Sequence, residues 1–146
     1  MERVYEKYAW VIYLALGLLW AVVGFNQTFL PDELLDGDVK LIIDLSWSEL
    51  KTLSPVATDF VRWLYGAMGL LKMSWSFFVL AVTLTGYRRG EKWAWYTLWL
   101  APILLVSSAL FNSSFVGDFS LMLEWIPITT ISVLGLLLPY RKFFSK

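Results

Sequence analysis

The sequence predicts an all-α integral membrane protein: a bundle of four transmembrane helices with one acidic outer loop. Three observations carry that prediction. Hydrophobic residues make up 58% of the 146 and the mean hydropathy is +0.62, above the apolar half typical of a soluble domain. Charged residues are only 16%, and they gather between apolar runs. Four of those runs reach the ~20 residues needed to cross a hydrocarbon core about 30 Å thick. With no internal repeat, low-complexity tract or linker, residues 1–146 read as a single transmembrane domain.

The first span, residues 8–30, lies in the uncharged run YAWVIYLALGLLWAVVGFNQTFLP between Lys7 and Asp32. It is too long for a signal-peptide core, and no small-x-small cleavage pattern follows it. Gly17, Ala21 and Gly24 share one face, a pattern that serves internal packing as well as self-association. The second span, 58–86, has Ser54 and Pro55 ahead of it as N-cap and first helical position, so its helix starts outside the bilayer. Gly66 and Gly69 allow close approach of a neighbour. The third span, 93–114, is uncharged, and the fourth, 120–140, holds Glu124 and ends at Pro139. Pro102 and Pro127 fall inside these last two helices and are expected to bend them.

Orientation follows from the basic residues of the short flanks. Arg3, Lys7, Arg88, Arg89, Lys92, Arg141, Lys142 and Lys146 account for eight of the twelve Lys and Arg, against three acidic residues on the same side. The loop 31–57 and its flanks carry Lys40 and Lys51 against Asp32, Glu33, Asp36, Asp38, Asp44, Glu49 and Asp59. Both termini are therefore expected in the cytoplasm, in a cell (inner) membrane, with the basic flanks suited to anionic headgroups. Within the outer loop, VKLIIDL is apolar and β-branched, and Ser46 with Glu49 forms a capping box leading into a short WSELKTL helix expected on the membrane surface. This segment reads as a lid over the outer end of the bundle.

Polar residues inside the spans are the candidate functional groups, because an ionisable side chain in a bilayer is costly. On the second helix Thr58, Arg62, Tyr65, Gly69, Lys72, Ser76 and Thr83 form one stripe at three- and four-residue steps, broken by a heptad gap. The opposite face, with Trp63, Leu70, Phe77 and Leu84, suits lipid. Arg62 and Glu124 each fall within about 5 Å of the outer boundary at 1.5 Å per residue, and are expected to form a structural ion pair. Lys72 falls about 15 Å down on the same count, with Ser108, Asn112, Thr129, Thr130 and the Leu123 carbonyl freed by Pro127 as expected neutral partners. Lys72, Tyr65, Ser76, Ser108 and Asn112 are thus the expected ligand- or partner-binding residues.

There is no Cys and no His. That excludes thiol redox chemistry, His-ligated haem, most transition-metal centres and Ser-His or Cys-His nucleophile pairs. No cofactor, metal site or nucleic-acid partner is expected. Asp36 and Asp38 make a D-x-D pair, read as a solvated turn. The nine Trp, seven Tyr and ten Phe are read as anchors at the two water interfaces.

The turn TGYRRGEKWAWYTLWLAPILL, with the Lys72 helix before it, resembles a scattered group of small, uncharacterised four-span membrane proteins of bacteria and archaea over residues 60–105. The resemblance implies the topology and no activity. The expected function is that of a small non-catalytic membrane protein, binding a lipid or hydrophobic ligand or serving as an accessory subunit, with lipids and other membrane subunits or its own copies as partners. A small oligomeric transporter using the polar stripe is the alternative.

Overall fold

A computed structural model describes residues 4–144; Arg3 and Lys146 of the charge count lie outside them. The described chain is helical, with no strand among the described residues. Its elements are α1 (Val4–Tyr8), α2 (Trp10–Phe29), α3 (Pro31–Ile43), α4 (Trp47–Leu53), α5 (Pro55–Val82), a π turn (Thr83–Tyr87), α6 (Lys92–Leu98), α7 (Leu100–Val116), α8 (Leu121–Leu137) and α9 (Tyr140–Phe144). Four stretches are long and apolar enough to cross a membrane: 6–29, 55–87, 92–116 and 122–144. Large apolar side chains cover their outsides, Trp63, Leu70, Phe77 and Leu84 among them, as a hydrocarbon solvent favours.

The chain divides into two compact units, Met1–Leu18 with Phe78–Lys146, and Leu19–Phe77. In the first unit, parts of all four spans meet around aromatic side chains. Tyr13, fully buried on α2, meets Tyr87 edge-on at 5.6 Å and bonds the Ser132 carbonyl at 2.8 Å. The Tyr87 hydroxyl donates to the Gly135 carbonyl, and Trp95 Nε1 donates to the Leu136 carbonyl at 3.0 Å. These acceptors exist because α8 ends here. Pro139 has no N–H to offer the carbonyl four residues back, Gly135, so a side chain from another helix takes it. Gly135 is also the contact point with α2, since a Cβ there would lie 3.0 Å from the Tyr13 ring and 3.1 Å from Ile12.

Proline shapes the third span as well, by interruption: α6 stops at Leu98 and α7 starts at Leu100, with Pro102 in the first turn of the new helix. Pro102 cannot bond the Leu98 carbonyl, which is where the ladder parts. In the fourth span α8 continues through Pro127.

In the second unit the segment expected as a loop is mostly helix. α3 takes in the β-branched VKLII run because Leu35 and Val39, four residues apart on one helical face, bury against Trp47 of α4. Leu50, Val61 and Tyr65 close this small core. Burying each large apolar side chain here contributes about 1.5–3 kcal/mol, enough to override the strand preference of Val and Ile. Asp44 ends α3 in the left-handed conformation at φ 57°, which Asp tolerates better than most residues. Ser46 then caps α4: its hydroxyl accepts from the Glu49 amide at 3.2 Å, and its own amide donates to the Glu49 carboxylate at 2.8 Å.

Candidate functional site

Three members of the polar stripe, Arg62, Tyr65 and Lys72, find their partners on α2 and α3, all inside the second unit. Arg62 grips Asp32 with two nitrogens, its Nη2 lying 2.9 Å from both carboxylate oxygens. This corrects the expected pairing with Glu124, which is exposed on α8. Asp32 stands at the first turn of α3, where the helix N-terminus favours an anion. Trp47 Nε1 donates to the same carboxylate at 3.2 Å, and Lys51 adds a second ion pair at 3.5 Å. Burial pushes the Asp32 carboxyl up, but the Arg62 and Trp47 hydrogen bonds and the Arg62 and Lys51 charges outweigh it, holding it below the ordinary carboxylate range.

Asp36 and Asp38 belong to α3 and do different work, so they are no solvated turn. Asp36 accepts the Trp47 amide at 2.8 Å, joining α3 to the start of α4. Asp38 accepts the Tyr65 hydroxyl at 2.6 Å, tying α3 to α5.

One and two turns deeper on α5 come Gly69 and Lys72. Gly69 packs against α2 so tightly that a Cβ would strike Thr28 Oγ1 and come 2.8 Å from the Gly24 carbonyl oxygen. Thr28 bonds its own helix at Gly24, 2.8 Å, and reaches the Gly66 carbonyl at 3.4 Å. This approach brings Gln27, only 3% exposed, beside the lysine. Lys72 Nζ donates to Gln27 Oε1 at 2.7 Å. Among the described residues the other two N–H groups of Lys72 have no hydrogen-bond acceptor.

The remaining expected members fall elsewhere. Ser76 is buried and bonds the Lys72 carbonyl at 2.7 Å, a helix-internal contact. Ser108 and Asn112 are exposed on α7, where Asn112 Nδ2 donates to the Ser108 carbonyl at 2.9 Å; the buried polar residue of that helix is Ser113. Thr130 is also exposed. Sequence reasoning passed over Gln27, Asp32 and Asp38. A signal existed for the first, an amide at the end of an otherwise apolar span.

Compared with known protein families, curated proteins and solved structures, the chain has no match. What the arrangement can do therefore rests on its own chemistry. A cation and a buried amide meet where α5 packs on α2, a set suited to holding a charged head. Among the described residues no three metal-ligating side chains gather.

Proposed function

We propose that this protein is a small, non-catalytic integral membrane protein that uses Lys72 to hold the anionic head of a lipid or hydrophobic ligand, or an acidic side chain of a partner membrane subunit. The observation that carries the reading is the Lys72 ammonium, half-buried on a spanning helix, hydrogen-bonded to the neutral Gln27 and retaining two donors. On this reading the protein lies in the cell (inner) membrane with both termini cytoplasmic, the side chosen by the Arg88, Arg89 and Lys92 turn. The likeness of that turn to small four-span membrane proteins of bacteria and archaea accords with the same topology.

Depth follows from the helix itself. Lys72 precedes Arg88 by sixteen residues, about 24 Å at 1.5 Å per residue. With Arg88 at the cytoplasmic headgroups, the Lys72 backbone stands about 6 Å inside the far edge of a roughly 30 Å core, and its side chain leans further toward that edge. That is shallower than counting from Arg62 implies, and on this reading the first turns of α5 lie outside the bilayer. A lipid headgroup of the outer leaflet reaches this level. The transporter alternative is less favoured, since Arg62, Tyr65 and Lys72 already bond to residues of α2 and α3.

Purification of the parent and Lys72→Met in native-membrane nanodiscs, followed by mass spectrometry of co-purifying lipids and proteins, tests this. Loss of a charge-assisted hydrogen bond of about 1.5 kcal/mol predicts roughly tenfold depletion of one species. Identical profiles would remove Lys72 from the binding role.

A further inference from the structure

We propose that Lys92, Tyr96 and Tyr140 form a second, separate site, which binds one anionic phospholipid from the leaflet that meets the basic end of the protein. The site is built on Phe144, whose ring stacks on Tyr140 at 4.7 Å and 25°. Tyr96 meets it edge-on at 6.0 Å, and Trp95 does so at 5.1 Å. Trp95 is anchored in turn through its bond to the Leu136 carbonyl. Lys92 Nζ lies 5.5 Å from the Phe144 centroid, so a cation sits on the ring face of an already packed platform.

Three donors are left over for a ligand. Among the described residues no carboxylate lies in ion-pair distance of Lys92, and neither tyrosine hydroxyl has a hydrogen-bond partner. Both tyrosines are exposed, at 60% and 50%. A phosphodiester presents one negative charge and two non-bridging oxygens, which this ammonium and two phenols complement. One turn from Tyr96 and Tyr140, into the spans, Leu100 and Leu137 are exposed and supply an apolar path for an acyl chain. That path selects a lipid over a free phosphate ion.

Native mass spectrometry of the full-length protein, released from nanodiscs of mixed phosphatidylglycerol and phosphatidylcholine, reads the occupancy. The parent should retain phosphatidylglycerol selectively, and Lys92→Met should lower that retention about fivefold, the equivalent of about 1 kcal/mol for one interfacial cation. Lys92→Arg should keep it. Arg89→Met removes an exposed cation outside the platform and should change little. Parent-like retention in Lys92→Met, or an equal loss in Arg89→Met, would overturn the site. Should Lys92→Met fail to fold, the Tyr96→Phe/Tyr140→Phe pair, which keeps the stack, decides: unchanged retention counts against the proposal. Displacement of the lipid by inorganic phosphate alone would also overturn it, as the mark of an ion site.

Discussion

Asp32 receives three partners on two oxygens: the Arg62 guanidinium, the Lys51 ammonium and the Trp47 indole N–H. Its carboxyl titrates below its unfolded value of about 3.9. The stabilisation it gives is therefore present above that pH and lost as pH falls through the lower folded value. Glu49 acts in the same direction, because hydrogen bonds from the Ser46 side chain and backbone hold its carboxyl down. The prediction is that the 31–54 segment stays docked to about pH 4 and loosens below it, read from the fluorine NMR signal of 5-fluorotryptophan at Trp47. Asp32→Asn should loosen the segment already at neutral pH and shrink the acid-induced change to the Glu49 share. A variant that titrates like the parent would show that Asp32 is no clasp. Each ion pair is about half-exposed and contributes only about 0.2–1 kcal/mol alone, so the effect rests on their convergence.

At the scale of elements, the α2–α5 crossing decides what Lys72 can reach. Two glycines that look equivalent in sequence have different surroundings: a Cβ on Gly69 would collide with Thr28 and the Gly24 backbone, whereas one on Gly66 would meet only the Thr28 carbonyl oxygen, at 3.8 Å. Gly69→Ala should accordingly destabilise the protein by about 1–3 kcal/mol, as overpacking does. Gly66→Ala should stay within about 0.5 kcal/mol of the parent. Unfolding free energies in bicelles check this, and equal effects would mean that the crossing is not held by close contact. The sequence marked both glycines and the stripe beside them through their helical spacing. It did not mark α3 as a helix, because a run of Val, Leu and Ile reads alike in strand and helix until Trp47 supplies a surface to bury against.

For the molecule as a whole, the charge asymmetry argues for both termini on one side, and the absence of Cys makes that directly measurable. Asp59→Cys and Arg89→Cys place single thiols on exposed positions near opposite ends of the 55–87 stretch. In intact cells a membrane-impermeant maleimide should label position 59 and should reach position 89 only after permeabilisation. The reverse pattern would invert the topology and put Lys72 near the cytoplasmic leaflet.

The four spans were determined by sequence alone, because the free energy of placing a segment in lipid depends on its own length and composition. So was the capping box of α4, a signal confined to four residues. Only the tertiary structure decided the partners. Arg62 meets Asp32 across 30 positions and Lys72 meets Gln27 across 45, while Ser108 and Asn112 turn outward on α7. Which face of an apolar helix points inward is set by the neighbours it packs against. In a hydrocarbon solvent that choice rests on close contacts and a few hydrogen bonds, which periodicity alone does not reveal.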